Sequence, residues 1–324
     1  MIKVGIVGYG NLGRGVCLAL RHALDMQCVG VFTRRDVNTV KPVTDVNVYS
    51  VNDLPKFKGE IDVLILCGGS ATDLPNNTHD YLKDFCTVDS FDTHAKIPEY
   101  FAKLDAVAKA NNTLCAISIG WDPGVFSIMR SLFGSVLPCG SDYTFWGKGV
   151  SQGHSDAIRR IEGVANAIQY TIPREQALES VRSGANPKLT TRDKHIRECF
   201  VAVKDGADTA LIEKTIKEMP NYFADYDTIV NFVSSEEVAD MQKTLAHGGF
   251  VIRTGNTTEQ NSHVLELSLK LGSNPEFTGS VLVAYARAIA RLKQTGLTGA
   301  LTVYDIPLKY LSPLSEADLR KNLL

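Results

Sequence analysis

With 324 residues the chain is long enough for two domains that each bury a core. Its formal charge is −2, with 34 Lys and Arg interspersed among 36 Asp and Glu, which excludes a global basic field for nucleic acid or an anionic membrane. No apolar run reaches the length of a membrane span and the N-terminus enters a strand at once, without a signal-peptide core, so a cytoplasmic protein is expected.

The opening stretch, Ile2 to Val7, is a short β-branched run closed by glycine, which reads as a buried parallel strand. Gly8, Gly10 and Gly13 then fit G-x-G-x-x-G. The first glycine makes the tight turn, the second lets backbone approach a pyrophosphate, and the third lets helix and strand pack closely. A helix from about Asn11 to Leu24 aims its unpaired N–H groups and positive dipole end at that anion. A second strand, Cys28 to Phe32, completes a βαβ unit. Gly8, Tyr9, Gly10, Asn11, Leu12 and Gly13 are therefore expected to bind a dinucleotide.

The second strand ends in Thr33-Arg34-Arg35. Two guanidiniums and a hydroxyl make a phosphate clamp, where an NAD-specific site would place an acid on the ribose. The expected cofactor is NADP. A solvated arginine pair, with Asp36 as a displaced ribose ligand, is the plainer alternative.

A weak strand, Val46 to Tyr49, precedes a strong one, Ile61 to Cys67. The small-residue loop that follows, Cys67, Gly68, Gly69, Ser70 and Ala71, lies just past a strand's carboxyl end, where an open α/β sheet admits a ligand. Asp89 and Ser90, at the end of the strand from Cys86, join the expected cofactor-binding set. A helix from Pro98 to Ala110 and a strand from Leu114 to Ile119 follow. Alternating β and α elements imply an α/β fold, a Rossmann-type doubly wound parallel sheet, over residues 1–120.

Beyond Gly120 a helix, Val125 to Leu137, leads into a different texture. Strand-like segments at Tyr143 to Trp146, Ala167 to Thr171, Arg197 to Val203, Asp227 to Phe232 and Gly248 to Thr254 mix with helices at Arg174 to Ser183 and Ala207 to Met219. This implies an α+β domain, expected over 121–276, with a mixed or antiparallel sheet. Two helices, Ser262 to Leu271 and Gly279 to Thr295, are expected to close the chain. The alanine-rich second one should return 277–324 to the first domain. The seven cysteines, Cys17, Cys28, Cys67, Cys86, Cys115, Cys139 and Cys199, lack C-x-x-C spacing and read as buried thiols, so no metal site is expected.

The reaction centre should lie beyond the carboxyl ends of the parallel strands, between the two domains. Asp92 and Asp122 fall there independently, and Trp121 and Trp146 flank the region. Carboxylates beside an anionic cofactor are unhelpful unless they hold a cation, which points to an ammonium substrate gripped by charge-assisted hydrogen bonds. Asp122 could instead cap a helix that starts near Pro123. The segment from Phe145 to Asp156 is glycine-rich and polar, and reads as a ligand loop. His154, Ser155 and Asp156 do not make a catalytic triad, because sequence neighbours point in different directions. His247 and Arg197 are candidates for binding a substrate carboxylate.

Gly8 to Arg14, Thr33 to Arg35, Cys86 to Asp89, Gly120 to Gly124, Phe145 to Gly147, Ser151 to Asp156, Met219-Pro220, His247 to Gly249 and Asn274-Pro275 together resemble the meso-diaminopimelate dehydrogenase family. The similarity runs from Met1 to about Pro313. It implies NADP-dependent, reversible oxidative deamination of meso-2,6-diaminopimelate at its D-configured carbon, to L-2-amino-6-oxopimelate (which cyclises to tetrahydrodipicolinate) and ammonia, in lysine and peptidoglycan-precursor synthesis. By the same likeness Asp92 and Asp122 act at the D-centre amine and Trp121 and Trp146 wall the site. Gln152 and Gly153 meet the adjacent carboxylate, while Thr171, Arg197, His247 and Asn274 hold the L-end. The resemblance also implies a homodimer, with the second domain carrying dimerisation. Other NADP-linked amino-acid dehydrogenases, a dihydrodipicolinate reductase-like enzyme and a non-catalytic nucleotide sensor are the competing readings.

Overall fold

The computed structural model describes residues 1–324, which divide into two units, one of 1–128 with 275–324 and the other of 129–274. In the first, β1 (Ile2–Val7), β2 (Met26–Thr33), β3 (Val48–Ser50), β4 (Val63–Leu66), β5 (Cys86–Asp89) and β6 (Leu114–Ala116) alternate with α1 (Asn11–Leu20), α2 (Asp73–Tyr81) and α3 (Ile97–Ala110), and the chain passes from the first unit to the second within α4 (Val125–Val136). β4 is buried along its whole length, as a strand covered on both faces must be. α1 stops at Leu20, short of the expected Leu24, because i to i−3 bonds from His22 and Ala23 tighten the chain into the turn that launches β2. β6 ends three residues before the expected Ile119. Ser118 adopts a left-handed φ of +59° and gives its N–H to the Asp89 carboxylate, which breaks the ladder.

The second unit holds two sheets. One orders β11 (Asp227–Phe232), β10 (His195–Val203), β9 (Val164–Pro173) and β8 (Gly149–Val150), and the other orders β13 (Ser262–Leu271), β12 (His247–Asn256) and β7 (Gly140–Trp146). β10 runs antiparallel to β9 and parallel to β11, so the four-stranded sheet is mixed. Helices α5 (Gln152–Arg159), α6 (Glu175–Arg182), α7 (Thr191–Lys194), α8 (Thr209–Lys217) and α9 (Ser235–Met241) pack around them. Two expectations change here. Ser262 to Leu271 is a strand, not a helix: Leu265, Leu267, Leu269 and Leu271 alternate at period two, and the segment pairs with β12 over its full length. The polar stretch after Val150 is the helix α5, started by Ser155, whose N–H and hydroxyl both bond the Ser151 carbonyl.

Residues 275–324 rejoin the first unit through α10 (Asn274–Lys293), β14 (Gly299–Leu301), α11 (Leu308–Leu311) and α12 (Glu316–Leu323). The closest approach is not made by the alanines. A Cβ on Gly279 would lie 2.6 Å from the Gly15 carbonyl carbon, so α10 and α1 cross backbone against backbone. Arg287, buried, bonds Asp25 through Nε (2.7 Å) and Nη2 (2.9 Å) and the Leu311 carbonyl through Nη1. β14 then pairs with β6 and completes a seven-stranded parallel sheet of order β14-β6-β5-β4-β1-β2-β3. All carboxyl ends lie on one edge, and the strand order reverses between β1 and β4, where such sheets bind ligands. No helix is long and apolar enough to cross a membrane.

Candidate active site

At the carboxyl end of β1 the backbone turns on Gly8, at φ +91°. A Cβ on Gly13 would stand 2.2 Å from the Gly8 carbonyl oxygen, so only glycine lets α1 approach the strand this closely. Gly10 differs: nothing lies within 4 Å of where its Cβ would be. Asn11, Leu12 and Gly13 begin α1, whose first intrahelical acceptor is Gly10, so their N–H groups are left for a ligand. Tyr9 turns inward, its hydroxyl accepting from Val43 N–H at 2.8 Å, and only its backbone faces the turn. The open space at Gly10 beside free helix N–H groups fits a dinucleotide pyrophosphate.

Thr33 is buried and its hydroxyl accepts the Arg35 N–H at 3.1 Å. Arg35 reaches back to the Tyr9 carbonyl at 2.5 Å. Arg34, largely exposed, pairs with Asp73 at 2.7 Å. In the loop after β4 the Cys67 thiol bonds the Ile65 carbonyl, Gly69 gives its N–H to Asp73 at 3.1 Å, Ala71 is exposed, and Ser70 Oγ accepts the Asp92 N–H at 3.1 Å.

Asp89 is fully buried. Its carboxylate accepts from Phe91 N–H, Ser118 N–H and the Tyr100 hydroxyl, and burial pushes it up to about 6. Its side chain is thus spent inside the unit, and it ties the segment after β5, through Ser90 to Asp92, to the segment after β6. Asp92 is exposed. Asp122 is half-buried in the turn from Trp121 to Gly124, where the Trp121 ring packs edge-on against Phe126 at 5.2 Å. Because β5 pairs with β6, the two aspartates leave the carboxyl ends of adjacent strands. The first unit therefore gathers the glycine turn, the arginine pair, the 67–71 loop and both acids on one edge of one sheet.

In the second unit Thr171 and Arg197 face each other across β9 and β10 and are hydrogen-bonded, Arg197 Nη1 donating to Thr171 Oγ1. Arg197 is 6% exposed, lies over the Tyr226 ring at 3.9 Å and has no acidic partner, so burial lowers its affinity for its proton. Its charge reinforces burial in keeping three histidines neutral: His154 and His195, both driven down to about 3, and His247. His247 sits against Gly149, where a Cβ would be 2.4 Å from the ring. Asn274 is drawn to the segment just before β12, which His247 opens, by its N–H bond to the Leu245 carbonyl at 2.8 Å. Gln152 and Gly153 are exposed on the first turn of α5. His154 bonds Ser151, Ser155 bonds the Ser151 carbonyl and Asp156 pairs with Arg159, so these three neighbours form no relay.

Sequence reading missed His195. Its Nε2 accepts the Trp146 N–H at 2.9 Å and its ring stacks on Trp146, which fixes the proton on Nδ1 and orients the indole. A strand period of two places it on the same face as Arg197, and that signal was available. Cys139 is exposed, against the expectation of uniformly buried thiols; it sits in the turn that precedes β7.

Residues 120–273 match the Diaminopimelic acid dehydrogenase C-terminal domain. The chain is 58% identical to the Meso-diaminopimelate D-dehydrogenase of Ureibacillus thermosphaericus, over 100% of this chain and 99% of that protein. Among solved structures, a sixfold mutant of meso-DAPDH from Clostridium tetani E88 with DAP superposes with a TM-score of 0.96 at 50% identity, over 100% of both chains. An engineered D-amino acid dehydrogenase bound to NADP+ does so with a TM-score of 0.90 at 42% identity, over 100% of this chain and 99% of that one.

Proposed function

The chain belongs to the meso-diaminopimelate D-dehydrogenase family: it is an NADP-dependent enzyme that deaminates meso-2,6-diaminopimelate oxidatively and reversibly at its D-configured carbon, and we propose how its residues share that work. Membership sets aside the sensor and reductase readings. The cofactor's nicotinamide accepts the hydride that leaves the substrate carbon.

The turn of Gly8, Tyr9, Gly10, Asn11, Leu12 and Gly13 holds the pyrophosphate with backbone N–H groups, and Thr33, Arg34 and Arg35 hold the 2′-phosphate. The backbone of Cys67, Gly68, Gly69, Ser70 and Ala71, with Ser90, lines the remainder of the dinucleotide, whereas Asp89, expected there from its place at a strand end, is fully buried and braces that segment from within. Asp92 and Asp122 hold the substrate ammonium and accept the proton it must lose before hydride can leave, stabilise the resulting cationic imine electrostatically, and, once that proton has passed to solvent, take a proton from the water that attacks it. Trp121 and Trp146 exclude bulk water. Gln152 and the Gly153 N–H bind the carboxylate next to the reacting amine.

Thr171, Arg197, His247 and Asn274 bind the L-end, which leaves only the D-carbon to react. The observation that carries this division is Arg197, a buried guanidinium without a carboxylate of its own. A donor fork in that state is matched by a substrate carboxylate. The exposed edges of β11 and β13, with Ile229, Phe232 and Val264 outward, support a homodimer formed through the second unit. The exposed Cys139 thiol suits a reducing cytoplasm.

The test is a steady-state assay of diaminopimelate stereoisomers with NADP. The meso isomer should yield NADPH and the L,L isomer should not. Asp122→Ala should lower kcat by about 100-fold or more, and Arg197→Met should raise KM by about 10- to 100-fold, with kcat changed less. Near-normal kcat for Asp122→Ala removes that residue from the chemistry.

A further inference from the structure

The arginine that ends β2 is already engaged. Arg34 Nη2 lies 2.7 Å from Asp73 Oδ1, and the other oxygen of the same carboxylate accepts the Gly69 N–H at 3.1 Å. Both residues line the cleft that also holds Gly8, Phe32, Leu74 and Tyr81, beside the glycine turn. A carboxylate bridging a guanidinium and a loop N–H offers those donors what a phosphate would offer: oxygen acceptors with negative charge.

We propose that Asp73 is a selectivity residue that competes within the chain against the cofactor's 2′-phosphate for Arg34. This rests on the reading of Arg34 as a phosphate ligand. A dianionic phosphate brought to Arg34 meets a carboxylate in contact with the same guanidinium, so it must displace that carboxylate or bind against its charge. Either way, part of the attraction of Arg34 for the phosphate is consumed. The pair is exposed, with side-chain accessibilities of 66% and 30%, so the handicap is small, a factor of up to about five in affinity. A nucleotide without the 2′-phosphate does not meet this competition. Asp73 thus narrows the enzyme's preference for the phosphorylated cofactor.

Calorimetric titration of the full chain with 2′,5′-ADP and with AMP tests this on the adenosine end alone. Asp73→Asn removes the charge and keeps an oxygen for the Gly69 N–H. It should tighten 2′,5′-ADP about two- to five-fold without tightening AMP, and Asp73→Ser should act likewise. In an Arg34→Ala background the gain should shrink. If Arg34→Ala weakens 2′,5′-ADP while both Asp73 variants leave it unchanged or weaken it, Asp73 orients the arginine and the competition is refuted. Should Arg34→Ala leave the 2′,5′-ADP to AMP ratio untouched, the phosphate reading of Arg34 falls, and the competition with it.

Discussion

Asp89 shows what a carboxylate does when the fold encloses it. Three donors face it, yet loss of water outweighs them and raises its pKa to about 6. The folded state then binds this proton more tightly than the unfolded chain does. Its stabilising contribution is complete below the ordinary carboxylate range and is lost as pH rises through about 6. Asp89→Asn keeps an acceptor for the two N–H groups and cannot ionise. The stability difference between variant and parent should shift in the variant's favour by about 2–3 kcal/mol between roughly pH 4 and 7, read from urea unfolding at each pH. Sequence position placed Asp89 at the cofactor because it ends a parallel strand, and position is all that a sequence offers there. That its side chain points inward depends on Tyr100 and Ser118, 11 and 29 residues away. Thr171 is singled out only by family likeness, whereas Arg197 is also a candidate carboxylate ligand on its own residue type, and their mutual bond is a matter of strand register.

At the scale of the element, the glycines of the first turn have separable duties. Gly13→Ala drives a methyl into the Gly8 carbonyl and must push α1 away from β1. It should destabilise the protein by about 1–3 kcal/mol as well as weaken NADP binding. Gly10→Ala meets no protein atom, and φ of −91° suits alanine. It should leave the melting temperature almost unchanged and still weaken NADP binding, because the methyl enters the space left for the pyrophosphate. Thermal shift with and without NADP separates the two. The same turn was legible from sequence because glycine spacing, strand and helix are all local. β13 was also written in its alternating leucines and was misread as a helix. The short helices α7 and α9 went unread because their capping boxes, Thr190 with Asp193 and Ser234 with Glu237, are signals only a few residues long.

At the scale of the whole chain, the first unit is assembled from two distant stretches of sequence. Sequence reading ended the first domain at 120 and brought 277–324 back to it; the units observed divide at 128 and 275. The alanines of α10 hinted at this return, whereas β14, three residues long, carried no readable signal. The fastening is Arg287 on Asp25, which holds that carboxylate below the usual range. Arg287→Ala should cost about 2–3 kcal/mol. Because the Asp25 contribution is present above the unfolded carboxylate pKa and is lost as pH falls through the depressed one, the variant should lose less stability than the parent on acidification below about pH 4. Urea titrations at pH 7 and pH 3 measure both effects. The discontinuity also orders events at the ribosome. The segment 129–274 emerges entire and can settle while synthesis continues, whereas β6 waits with one side unpaired until translation has delivered residue 301. A nascent polypeptide released early would carry a finished insert within a Rossmann sheet that lacks its last strand.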